Sequence, residues 1–154
     1  MAKFKYRMQN VLGIKEKFES QAKTEFAAAN AVVEEEKEKL LVLGKRKNGY
    51  LEKAKELFSR VPLNVREITE NEAAILKMDD LIAEQEENVK RAEHFLEQQR
   101  VQLAVAMQER KTHEILRERA FEEFWQEEKA AESKEIDQLT SYTYGQKTKD
   151  DRNG

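Results

Sequence analysis

Cysteine is absent, proline occurs once, glycine occurs only five times and aromatic residues make up only 8% of the 154 positions. Without cysteine there is no disulfide framework, no cysteine-ligated zinc or iron–sulfur site and no thiol nucleophile. So few prolines and glycines leave little turn material, and such a low aromatic share cannot fill a thick core. No stretch approaches the roughly 18 uncharged apolar residues that a membrane-spanning helix needs. The start is basic, but Lys15, Glu16 and Lys17 cut off any apolar run behind it, so no secretory signal is expected.

What is present is charge: 38% of residues are Asp, Glu, Lys or Arg, with a net charge of -3. The two signs are unevenly spread. Residues 1–60 carry 14 Lys and Arg against 9 Asp and Glu, whereas residues 61–154 carry 14 against 22. A cationic half and an anionic half are suited to lie side by side, because complementary charges flanking a helical seam select partner and orientation.

From Phe4 to Leu57 apolar residues recur at steps of three and four: Phe4, Met8, Val11, Phe18, Ala22, Ala29, Val32, Leu40, Leu43, Tyr50, Ala54 and Leu57. This is a heptad signature. Lys15, Glu25, Glu36 and Lys47 interrupt it, and four-residue steps on both sides of Glu36 read as a stutter that unwinds the supercoil locally. Gly44 and Gly49 each cost a helix about 1 kcal/mol relative to alanine, so the segment they bound is its weakest.

The lone proline, Pro62, removes a backbone donor and pushes Val61 away from helical dihedrals, which places a turn over about 59–68. Thr69 followed by Glu72 reads as a capping box at the start of a second helix. Beyond it Ile75, Met78, Ile82, Val89, Ala92, Leu96, Leu103, Ala106, Ala120 and Phe124 sustain the repeat, with Gln85, Gln99, Arg110, His113 and Arg117 on the same stripe. Past Met107 this face turns polar, and after Leu139 periodicity is lost. The expectation is therefore an all-α fold, a long two-helix antiparallel coiled-coil hairpin forming one domain over 1–140. Its helices run from about 3 to 58 and from about 69 to 139, and a mobile tail follows over 141–154.

Chemistry-bearing constellations are sparse. His94 and His113 are the two histidines, both within predicted helix, and neither sits in a His-Glu-x-x-His metal pattern or opposite a serine nucleophile. The scattered glycines form no phosphate-cradling loop. No catalytic residue, metal ligand or cofactor follows from the sequence. Lys45-Arg46-Lys47 reads as a solvated helix face rather than a nucleic-acid contact, because the chain as a whole is acidic, with a pI of about 5.6. Tyr50 reads as seam packing more readily than as an exposed anchor. Phe121, Phe124 and Trp125 form an aromatic group suited equally to closing the end of the helix pair or to docking on a partner.

Two terminal segments carry a family resemblance. Phe4-Lys5-Tyr6-Arg7-Met8-Gln9-Asn10-Val11-Leu12-Gly13-Ile14-Lys15-Glu16 is an aromatic pair leading into Met-Gln-x-Val-Leu-x-Ile-Lys-Glu. Near the other end stand Glu109-Arg110-Lys111 and Glu132-Ser133-Lys134-Glu135-Ile136-Asp137-Gln138. Both resemble the flagellar export protein FliJ family, with Gln138 in place of the usual acid. The resemblance implies a stalk-like, non-enzymatic coiled coil of the flagellar type III export apparatus, serving flagellum assembly and motility. It implies a cytoplasmic protein peripheral to the inner face of the cell membrane. Its implied partners are the export ATPase ring, the cytoplasmic domain of the export gate protein, and export chaperones. By that resemblance the ATPase-facing contacts fall at the terminal ends, where Phe4, Tyr6, Val11, Phe121 and Trp125 stand. The gate-facing contacts fall nearer the turn, at Leu43 and Tyr50 on the first helix and Ile75, Met78 and Ile82 on the second. Arg46 occupies a position that is aromatic in some relatives. The rival reading is a general coiled-coil scaffold that self-associates through its heptads.

Overall fold

Pro62 does end the first helix, and Asn64, two residues later, starts the second. In the computed structural model, which describes residues 2–153, helix α1 spans Gln9–Ser59 and helix α2 spans Val65–Asn153. Asn64 is the cap of α2: its Oδ1 accepts from the backbone N–H of Glu67 at 3.3 Å, and its carbonyl accepts from that of Ile68 at 3.2 Å. This satisfies donors that the first turn would otherwise leave orphaned. Glu67 also places an acid against the positive end of the helix dipole.

The predicted cap five residues further on, at Thr69, is not used. Thr69 lies inside α2, where its hydroxyl donates to the Val65 carbonyl at 2.8 Å. A threonine can satisfy itself on the preceding turn in this way, so Thr-x-x-Glu alone does not mark a helix start.

Two other boundaries depart from expectation, the start of α1 and the end of α2. α1 begins at Gln9 rather than near residue 3; the intervening cations Lys3, Lys5 and Arg7 would otherwise crowd the positive end of its dipole. α1 passes unbroken through Gly44 and Gly49, neither of which has positive φ. α2 runs on to Asn153, past the residue where periodicity ends. No proline interrupts that stretch, and Thr140, Thr143 and Thr148 fold their hydroxyls back onto carbonyls four residues earlier.

The chain divides into two compact units, one of residues 18–106 and one joining 1–17 with 107–154. In the first unit the order of cross-helix partners defines an antiparallel pair. Asn71 reaches Tyr50, Asp79 reaches Lys47 and Gln85 reaches Glu36, each step further from the turn on both helices, and Glu93 reaches Lys37 beside the last of these. The inward stripe of α1 is Glu19, Ala22, Phe26, Ala29, Val33, Glu36, Leu40, Leu43, Lys47, Tyr50, Ala54 and Leu57, all buried or half-buried. The steps alternate three and four without a break, so the expected stutter at Glu36 does not occur.

The misreading lay in adjacent apolar choices. Val33 is 2% exposed and Val32 45%; Phe18 points outward at 51% while Glu19 is buried. On α2 the stripe Ile75, Met78, Ile82, Gln85, Val89, Ala92, Leu96, Gln99, Leu103 and Ala106 is the one that periodicity indicates. The seam is thin, since Ala22 and Ala29 supply much of its depth on α1.

In the second unit Leu12 is buried at 3% exposure, Lys15 pairs with Glu109 at 2.9 Å, and Arg110, His113, Ala120 and Phe124 are half-buried along α2. Beyond residue 128 α2 is exposed on all sides.

Lys15–Glu109, Lys37–Glu93, Lys47–Asp79 and Arg60–Glu67 all join a cation from the basic half to an acid from the acidic half. Each is part-exposed and contributes about 0.2–1 kcal/mol. Their shared polarity does more for pairing orientation than for stability.

Candidate interaction surfaces

A two-helix chain buries one stripe per helix and leaves the rest to solvent, so its candidate site is a surface rather than a pocket. Among the described residues no cluster of His, Asp and Glu is arranged to hold a metal ion. The polar groups that are buried lie in the seam. Gln85 Nε2 donates to both the backbone oxygen and the carboxylate of Glu36 and Asn88 donates to Gln85 Oε1 at 3.2 Å, while Asn71 Nδ2 donates to the Tyr50 carbonyl at 3.0 Å. The hydrogen bond from Gln85 holds the Glu36 carboxyl below its ordinary pKa of 4.5, with Lys39 adding to the effect and burial opposing it. These are helix-pairing contacts.

Two surfaces stand out from the rest by apolar exposure. The first, in the unit of residues 18–106, surrounds the turn. Leu51 and Phe58 project from α1 and line a shallow groove with Asn48, Ala54 and Lys55; Val61, Leu63, Val65 and Leu76 are exposed nearby in sequence. The residues singled out from the sequence lie inside this surface. Leu43, Tyr50, Ile75 and Ile82 are half-buried in the seam, and Met78 is a core residue at 7% exposure. Sequence reasoning passed over Leu51, Phe58 and Leu76 because it searched along the heptad stripe, which faces inward.

The second surface, in the unit joining 1–17 with 107–154, is aromatic. The Phe4 ring stands edge-on to Phe121, with centroids 5.2 Å apart and planes at 80°, and is tilted against Phe124 at 5.5 Å. Such pairs contribute about 0.5–1.5 kcal/mol beyond their buried area. Phe4, Tyr6 and Val11 are half-buried, whereas Phe121 and Trp125 remain about half exposed, and Lys129 Nζ lies 5.7 Å from the Trp125 ring centroid. The structure thus brings Phe4 and Phe121 together, leaving Trp125 open. Ile136, Leu139, Tyr142 and Tyr144 are exposed further along α2, the last two beyond the point where periodicity ends.

Comparison with known proteins bears on both surfaces. No curated protein sequence gave a match. Among solved structures the chain is similar to a putative YscO homolog, CT670, from Chlamydia trachomatis. Identity is 23%, the alignment covers 92% of this chain and 96% of that one, and the TM-score is 0.62, a likeness of fold. The family pattern described as "Flagellar FliJ protein" matches residues 4–149, which takes in both helices, the turn between them and both apolar surfaces. The chain therefore belongs to the FliJ family of flagellar proteins.

Proposed function

We propose that this protein is a non-catalytic component of flagellar type III protein export, a stalk-like helical pair that links the export ATPase ring to the export gate at the inner face of the cell membrane. The observation that carries the reading is that each compact unit of a FliJ-family chain bears its own exposed apolar surface. Two surfaces suit a protein that holds two partners and acts through contact. The aromatic end, with Phe4, Tyr6, Val11, Phe121 and Trp125, is assigned to the ATPase ring. The turn-side surface is assigned to the cytoplasmic domain of the gate protein: Leu43, Tyr50, Ile75 and Ile82 shape it, Met78 supports it from beneath, and Leu51, Phe58 and Leu76 supply open apolar area. Export chaperones are further partners on this reading. No helix among the described residues is long and apolar enough to cross a membrane.

The test is binding of the purified chain to the purified ATPase and to the isolated gate domain. The doubly changed F121A/W125A chain is expected to lose at least tenfold in affinity for the ATPase while keeping the gate, and F58S/L76S the reverse. Failure of the unaltered chain to bind either partner would sink the reading.

A further inference from the structure

Phe121, Trp125, Ile136 and Leu139 are each about half exposed or more, and at about 100° per residue they fall within roughly a sixth of the helix circumference. They make an open apolar stripe on α2, past the point where α1 has a part to cover it. Glu132 and Glu135 lie on or beside the same stripe, with Glu128 at its edge. From Phe121 to Leu139 there are 7 acidic residues against 2 lysines. Glu132 falls inside the arc, between Trp125 and Ile136, and Glu128 and Glu135 fall along one side of it, so the surface is apolar with acids set within it and along one edge.

The chain itself displays what such a surface accepts. Its N-terminal segment, Lys3-Phe4-Lys5-Tyr6-Arg7, alternates cations with aromatics. Phe4 from that segment is the ring that packs on Phe121 and Phe124, and Lys3 lines the same groove as Trp125 and Glu132. Lys129 placed against the Trp125 ring is a second cation held by this face. The basic segment reaches only the Phe121–Trp125 end, and Trp125, Ile136 and Leu139 remain about half exposed or more.

We infer that the stripe from Trp125 to Leu139 is a docking site for a cationic amphipathic helix of a partner protein, one whose apolar residues recur at steps of three and four between lysines or arginines. The apolar residues of such a helix, laid along those of the stripe, supply affinity, and the acids within and beside the stripe select the sign of charge and speed encounter. The same acids repel anionic lipid and nucleic acid. The inference rests on the reading of this end as a contact surface and adds to it the chemistry of what binds.

Trp125 is the lone tryptophan of the chain, so its fluorescence reports directly from the stripe. A tryptophan-free 18-residue peptide of leucines and lysines at heptad spacing is titrated into the full-length protein. The control is the same peptide with glutamate for every lysine. The lysine peptide is expected to shift Trp125 emission to shorter wavelength in a saturable way, at least tenfold more tightly than the glutamate peptide. E132K/E135K is expected to weaken it at least tenfold, whereas E34K/E35K, which reverses two exposed acids in the other unit, changes affinity less than twofold. Equal binding of the two peptides, equal loss in the two variants, no shift at all, or a doubled mass showing that a second copy fills the stripe would each overturn the inference. Peptide binding together with a failure to bind the ATPase would leave the inference standing and remove only the partner assigned to it.

Discussion

Gln85 on α2 donates one amide group to two oxygens of Glu36 on α1, the backbone carbonyl at 2.9 Å and the side-chain carboxylate. A buried glutamine thereby finds acceptors for its amide across the seam and fixes where the two helices meet. The bond is made to the ionised carboxylate, which is why the Glu36 pKa is lowered. A depressed carboxylate pKa contributes stability that is complete above the unfolded-state value, near 4.5, and is lost as pH falls through the lower folded-state value. Thermal unfolding followed by circular dichroism should therefore show Tm falling below about pH 4.5, and falling less steeply for Q85L than for the unaltered chain. Parallel pH profiles for the two would contradict this account.

The two candidate caps of α2 separate cleanly by mutation. Asn64→Ala removes the acceptor for the Glu67 N–H and should cost about 1 kcal/mol. Thr69→Ala removes only a hydroxyl that bonds back to Val65 and should stay within about 0.5 kcal/mol. Urea unfolding midpoints distinguish them, and the reverse order would place the cap at Thr69.

Leu57 is 3% exposed at the turn end of the seam, and Val61, four residues on, is 95% exposed. Leu57→Ala should destabilise by about 2–3 kcal/mol, toward the lower end for a buried leucine, because a thin two-helix seam can close partly around the gap. Val61→Ala should change stability by less than about 0.5 kcal/mol. Equilibrium denaturation provides both numbers.

Pairing within one chain fills both inward stripes, so the protein should have the mass of a single 18.1 kDa chain in light scattering. Twice that mass at micromolar concentration would favour the self-associating scaffold. It would also relocate the open apolar surfaces to a dimer interface.

Phe4 ties a non-helical segment to α2 through Phe121 and Phe124. Phe4→Ala should release that tie, raising the amide exchange rate at Lys5 and Tyr6 while leaving the unit of residues 18–106 unchanged. A uniform rise across both units would mean that Phe4 supports the whole fold.

Much of the fold was legible in the linear chain. The stripe of α2 came out as periodicity indicated, with Gln85 and Gln99 on it, because Met78 and Val89 stand between charged or amide neighbours that leave only one apolar phase. α1 was misread by one residue at Phe18 and Val32, where Ala27, Ala28, Ala29, Ala31 and Val33 offer several equally apolar phases. The interaction surfaces were less legible. Heptad counting finds residues that face a partner helix, and Tyr50 and Met78 do face one. It is blind to Leu51, Phe58 and Leu76, whose positions matter because they are left over.

Local rules along the linear chain are enough to make it helical, to reverse it at its one proline and to set a cationic half against an anionic half. Hydrophobic period, backbone-donor loss and charge balance act over a few residues or sum along a segment. Only the tertiary structure decided which valine is buried, which residue caps α2, which polar side chains meet across the seam and which apolar faces stay open. Each of those depends on what the opposite helix presents at the same level, and that is a relation between residues tens of positions apart.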